Sequence, residues 1–71
     1  MDKDELAKKL AAKSQLNEKE AAEFIEVFAE VMAEYFKKGE KVVIAEFGSF
    51  FVGEDKSVQF NPSAKLKNLV G

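Results

Sequence analysis

Residues 37–62 decide the fold, and they read KKGEKVVIAEFGSFFVGEDKSVQFNP. Short β-branched and aromatic runs alternate here with glycine-containing turns, a pattern typical of consecutive antiparallel strands. The predicted strands are residues 41–45, 50–52 and 57–60, separated by turns at 47–49 and 53–56. Asn61 and Pro62 are then expected to cap and open a short final helix, because Asn suits the cap and Pro the first helical position.

Two helices are predicted before this segment. Each begins with a capping-box pattern, in which Asp2 or Asn17 is followed three residues later by a glutamate. Apolar residues at helical spacing extend the first helix over about residues 3–13 and the second to about Lys38, with Gly39 leaving the helix. The whole chain of 71 residues is therefore predicted to be one α+β domain with the element order α-α-β-β-β-α.

The second helix carries an apolar arc that is too broad for one neighbour. One row is Ala21, Ile25, Phe28, Met32 and Phe36, and a second row beside it is Phe24, Val27, Val31 and Tyr35. A chain of this length is marginal as a monomer, and the absence of Cys and His excludes disulfides and ordinary zinc sites. We therefore expect this helix to contact its own core and a second subunit.

The charges and the missing residue types exclude several function classes. Lysine carries all 11 positive charges against 13 acidic residues, so a net charge of −2 argues against DNA binding by bulk charge. No signal peptide and no apolar run long enough for a membrane span is present, which predicts a cytoplasmic protein. Without His or Cys we expect no enzyme, and we predict no cofactor and no small-molecule ligand.

Four sequence motifs resemble the bacterial histone-like HU/IHF family. They are MDKDEL at 1–6, KKGEKV at 37–42, FGSF at 47–50, and FNP at 60–62 followed by KLK at 65–67. The resemblance implies an intertwined homodimer with helices below and a sheet platform above. The residues then predicted to form the core and the dimer interface are Phe24, Phe28, Val31, Met32, Tyr35, Phe47, Phe50 and Phe60.

The resemblance also shows what this chain lacks. In the family, the second and third strands extend into a long arm that enters the DNA minor groove, where a proline kinks the duplex. Here only residues 53–56 separate the two strands, and four residues can turn a hairpin but cannot span a duplex. The sole proline, Pro62, lies in the C-terminal segment. We expect a truncated β-arm, without intercalation or strong bending.

DNA contacts are therefore expected only from the body of the dimer. By resemblance, Lys3 and Lys67 match positions that are often basic in the family, and Lys65 lies beside one. Glu46 stands where the family usually has glycine and should repel a phosphate. The absence of arginine excludes bidentate readout of guanine. The prediction is weak, sequence-nonspecific binding of double-stranded DNA, with the protein at the nucleoid.

A second hypothesis remains beside this one. A chain without the arm could keep the dimer interface and lose DNA binding, acting as a dimeric protein-interaction module or as a heterodimer partner of a full-length HU-type relative. The net negative charge and Glu46 favour this alternative. The sequence does not separate natural loss of the arm from deliberate shortening.

Overall fold

The computed structural model describes residues 1–71 and contains three helices and three strands. The elements are α1 (Lys3–Lys13), α2 (Glu18–Lys37), β1 (Val42–Ile44), β2 (Gly48–Val52), β3 (Val58–Pro62) and α3 (Ala64–Val70). This order confirms the predicted α+β architecture. The chain divides into two compact units, Met1–Val31 and Met32–Gly71, with the boundary inside α2.

The helices of the first unit begin where the capping patterns predict. The Asp2 carboxylate accepts a hydrogen bond from the Glu5 N–H at 3.0 Å. At α2 the box is complete: the Asn17 side chain accepts from the Glu20 N–H at 2.8 Å, and the Glu20 carboxylate accepts from the Asn17 N–H at 3.0 Å. Each bond satisfies a backbone donor that the helix start would otherwise leave unpaired.

In the second unit, α2 ends at the predicted glycine. Gly39 has φ +73°, in the left-handed region that favours glycine. Its N–H donates to the Phe36 carbonyl at 3.0 Å, and the Glu40 N–H donates to the Tyr35 carbonyl at 3.0 Å. These two bonds form a Schellman motif, which satisfies carbonyls of the last helical turn.

The three strands form one antiparallel sheet in the order β1-β2-β3. Val42 pairs with Phe50 across β1 and β2, and Phe50 pairs with Phe60 across β2 and β3. Only glycine fits at position 48, because a Cβ there would lie 2.5 Å from the Asn61 carbonyl oxygen and 2.6 Å from the Phe60 ring. The glycine therefore allows β2 and β3 to pair up to the first residue of β2.

The first predicted turn was displaced by about two residues. The turn occupies residues 45–47 and is closed by the Phe47 N–H, which donates to the Ile44 carbonyl at 3.0 Å. Gly48 and Ser49, predicted as turn residues, belong to β2, where they pair with Pro62 and Asn61. Glycine marks this position because of the close approach of the neighbouring strand, and not because of the turn.

The predicted start of the last helix was also wrong. Asn61 and Pro62 lie in β3, and the cap of α3 is Ser63, whose hydroxyl accepts from the Leu66 N–H at 3.1 Å. Pro62 is tolerated in the strand because β3 is an edge strand of the sheet and Pro62 is its last residue. The local preference of proline for a helix start was overridden by strand pairing with Gly48.

The buried core of a single chain is small. Its buried apolar residues are Ala7 and Ala21 in the first unit and Met32 in the second, and no large side chain is fully buried. Most of the phenylalanines are at least half-buried but remain in contact with solvent. A single copy therefore has little buried apolar area with which to offset the entropy of folding.

Candidate nucleic-acid interface

The turn between β1 and β2 is tied to the start of α3. The Phe47 carbonyl accepts a hydrogen bond from the Ser63 N–H at 2.9 Å. Ser63 in turn caps α3. This bond holds the first turn of α3, which carries Lys65, beside the turn at residues 45–47 (here called the signature turn), which carries Glu46.

Glu46 and Lys65 form an ion pair across this junction. The Lys65 Nζ donates to Glu46 Oε2 at 2.9 Å, and both side chains are more than half exposed. Glu46 has φ +64°, a left-handed conformation that residues other than glycine adopt at an energetic cost. The sequence predicted repulsion between Glu46 and phosphate, but it did not predict that Glu46 would hold the lysine expected to contact phosphate.

Lys67 and Lys3, the other two lysines expected to contact phosphate, differ in their surroundings. Lys67 lies on α3 with Lys65 and makes no ion pair. Lys3, in the first unit, pairs with Glu26 of α2. The Glu26 carboxylate raises the pKa of Lys3 above its ordinary value, first through their hydrogen bond and then through its charge. The pairing with Glu26 therefore favours the charged form of Lys3.

The hairpin between β2 and β3 is closed by its own hydrogen bonds. The Gly53 N–H donates to the Ser57 carbonyl and the Lys56 N–H donates to the Gly53 carbonyl, both at 2.9 Å. Asp55 Oδ1 accepts from the Ser57 hydroxyl at 2.6 Å and from the Ser57 N–H at 3.1 Å. These bonds from Ser57 hold the pKa of Asp55 below its usual value. The strands thus end in a tight turn.

The second apolar row of α2 faces away from the buried residues. Phe24 and Val27 are 56% and 55% exposed, and Val31 and Tyr35 are each 41% exposed. In the first row, by contrast, Ala21 and Met32 are buried, although Phe28 is 41% exposed. The helix therefore presents a continuous apolar face, here called the open row (Phe24, Val27, Val31, Tyr35), that a single chain does not cover.

Three of the phenylalanines predicted to be core residues form one cluster on the sheet. The ring centroids are 4.7 Å apart for Phe50 and Phe60, 5.3 Å for Phe47 and Phe60, and 6.2 Å for Phe47 and Phe50. These separations are within the range of favourable aromatic contacts. Phe47 and Phe60 nevertheless remain about two-fifths exposed. Through the contact of Phe47 with Phe60, the cluster packs the signature turn, which also carries Glu46, against β3.

The structure contains neither a cluster of metal ligands nor a membrane-spanning helix. No three acidic side chains converge in a way that could hold a metal ion. None of the helices is both long and apolar enough to cross a bilayer.

Comparison with known proteins identifies the family. The sequence profile described as "Bacterial DNA-binding protein" matches residues 1–57. The chain belongs to this family. Within the family, the chain is 37% identical over 57 residues to integration host factor subunit alpha of Anaeromyxobacter sp., which covers 80% of the chain and 58% of that protein. It is 39% identical over 49 residues to DNA-binding protein HU of Lactococcus lactis, which covers 69% and 54% respectively.

The fold of this family member agrees with solved structures. An HU mutant from Thermotoga maritima superposes with a TM-score of 0.93 at 35% identity, and each chain is covered over 100% of its length. HU from the same organism gives a TM-score of 0.89. The predicted HU/IHF-like fold is thereby confirmed. Membership of a family described as DNA-binding agrees with the prediction that the protein is not an enzyme.

The family comparison also shows a difference in length. The chain spans a little over half the length of these two curated relatives, 58% of integration host factor subunit alpha and 54% of DNA-binding protein HU.

Proposed function

We propose that this family member is an HU-like homodimer that binds double-stranded DNA weakly and without sequence preference, through lysines of its body and without a clasping arm. The observation that carries the proposal is the tight hairpin at residues 53–57. The rest of the chain has the fold of an HU mutant, with which it superposes at a TM-score of 0.93. The relatives are named for DNA binding, and the hairpin leaves only the body to perform it.

The open row of α2 supports the homodimer. Its four apolar side chains lie at helical spacing and are each at least 41% exposed, and contiguous exposed apolar patches mark interaction sites. A second copy of the chain is the occupant that we propose for this face, because a single copy buries no large side chain fully and pairing would stabilise it. Pairing with a full-length HU-type relative would cover the same row and is the second arrangement that we propose to test.

The lysines on α1 and α3 support binding through phosphates. Lys3, Lys65 and Lys67 are proposed as the contacts, and lysine acts on phosphate as a point charge without reading sequence. With a net charge of −2, the attraction is local to these lysines. We therefore expect modest affinity with steep salt dependence, because each neutralised phosphate releases bound counterions.

The short hairpin supports weak bending. Strong kinking by minor-groove binders depends on wedging an apolar side chain between base pairs. The turn at 53–57 carries no apolar side chain, and its outermost residues are Glu54, Asp55 and Lys56. Binding through the body alone would place the protein at the nucleoid of the cytoplasm without compacting the DNA by bending.

Fluorescence anisotropy of a labelled duplex of about 30 base pairs tests this function, with titrations at about 0.05 M and about 0.15 M salt. We expect binding at low salt that falls steeply at the higher salt and is equal for unrelated duplex sequences. Energy transfer between dyes at the duplex ends should change little on binding. No binding at low salt by a sample confirmed as dimeric would refute the proposal, and a large shortening of the duplex would refute its bending component.

A further inference from the structure

The two ion pairs of the structure occupy two of the three lysines proposed to contact DNA. Lys65 is held by Glu46 and Lys3 by Glu26. The chain contains eleven lysines, and most of the others lie on helix surfaces or in turns where no carboxylate is within ion-pair distance. Both ion pairs therefore involve lysines that we propose as phosphate contacts.

The backbone at Glu46 adds an independent observation. Its φ of +64° is unfavourable for any residue with a Cβ, and glycine would adopt it freely. Strained conformations of this kind persist where the surrounding structure requires them, and they occur frequently at functional positions. Glu46 adopts this conformation in the signature turn, and its carboxylate meets Lys65 of α3.

We propose that Glu46 is an internal competitor for DNA phosphate at Lys65, which lowers the affinity of the protein for DNA, and that Glu26 acts in the same way at Lys3. The proposal rests on the proposed DNA binding and deepens it by naming residues that set its strength. Both partners of each pair are substantially exposed, so a phosphate can reach the lysine and replace the carboxylate. The replaced carboxylate then lies close to the phosphate and opposes it.

The expected effect follows from the strength of exposed ion pairs. Removing the competing charge should tighten DNA binding about two- to fivefold for each lysine released. The gain should shrink as salt is added, because screening weakens the competing pair in the unbound protein. If the gain in affinity came only from the change in net charge, it would arise from longer-range attraction to all phosphates and would not depend on Lys65.

The test compares Glu46→Gln with Glu30→Gln in anisotropy titrations of the same duplex at several salt concentrations. Both variants lose one negative charge, but Glu30 lies on α2 and makes no ion pair. A second pair of proteins, Lys65→Gln with and without Glu46→Gln, shows whether the gain needs the lysine. Glu46→Gly provides a second way to remove the carboxylate, and thermal melting confirms that each variant is folded.

The outcomes separate this inference from the proposed function. The competitor role is supported if Glu46→Gln binds DNA more tightly than Glu30→Gln and if this gain is abolished in the Lys65→Gln background. This holds even if the unaltered protein does not bind detectably. Equal binding by Glu46→Gln and Glu30→Gln overturns it while leaving DNA binding intact. No binding by any variant at low salt overturns both proposals.

Discussion

Gly48 should be the least replaceable glycine of the chain. An alanine Cβ at this position would lie 2.5 Å from the Asn61 carbonyl oxygen and 2.6 Å from the Phe60 ring. The carbonyl belongs to the paired backbone of β3, so it cannot move away without disturbing the strand. The Phe60 ring is packed against the rings of Phe47 and Phe50, so its movement would disturb that cluster. Gly48→Ala must therefore separate β2 from β3 or tilt the Phe47–Phe50–Phe60 cluster.

Gly39→Ala is the matched control for this change. Gly39 also has a positive φ, +73°, but a Cβ there would meet nothing within 4 Å. Both variants carry the conformational penalty of an unfavourable backbone, about 1–3 kcal/mol. Only Gly48→Ala adds the effect of overpacking, about 1–3 kcal/mol. The difference between the two variants thus isolates the close contact of β2 with β3.

Thermal and urea denaturation, followed by circular dichroism at one protein concentration, measures this difference. For a domain of this size, 1 kcal/mol corresponds to about 4–8 °C in Tm, so Gly48→Ala should melt roughly 5–20 °C below Gly39→Ala. Equal concentrations are needed because the stability of a dimer depends on concentration. Equal melting temperatures for the two variants would show that the close contact of β2 with β3 at Gly48 does not contribute to stability.

Three further predictions concern the cap of α3, the open row and the hairpin. Ser63→Ala should lower the free energy of unfolding by about 1 kcal/mol, whereas Asn61→Ala should lack this cap effect; comparable losses in urea melts would contradict the assignment of the cap. Phe24→Glu should convert dimers to helical monomers in sedimentation velocity, while Val43→Glu, at a residue that is more exposed (68% against 56%) but outside the open row, should not; an unchanged dimer in both would exclude this face as the interface. Because hydrogen bonds hold the pKa of Asp55 low in the folded state, its stabilising contribution is present above about pH 4 and is lost as the pH falls through the lowered value. Asp55→Ala should flatten the stability profile in that acidic range, and an unchanged profile would contradict it.

Much of the fold followed from local chemistry in the sequence. The capping boxes at Asp2 and Asn17 located both helix starts, and Gly39 located the end of α2. These signals succeed because the interaction that defines each boundary is made between residues within five positions of each other. The errors at Gly48 and Pro62 arose at the one place where residues 14 apart pair, and where pairing overrides the local preference of each residue.

The candidate site was only partly visible in the sequence. Lys3, Lys65 and Lys67 were selected by resemblance to the family, and their role in DNA binding stays a prediction. The Glu46–Lys65 and Lys3–Glu26 pairs join residues 19 and 23 positions apart, so no local pattern indicates them. The only sequence feature that relates to the first pair is the opposite charge of its members: Glu46 directly precedes the FGSF motif, and Lys65 begins the KLK motif.

The sequence by itself determined the α+β class, the element order, the family and the short hairpin, because these depend on residue types and on short separations along the chain. Only the tertiary structure decided which lysines are paired with carboxylates and which apolar row of α2 is left uncovered. Both depend on the direction in which side chains leave their elements. That direction is set by strand pairing and helix packing, through contacts between residues far apart in the chain.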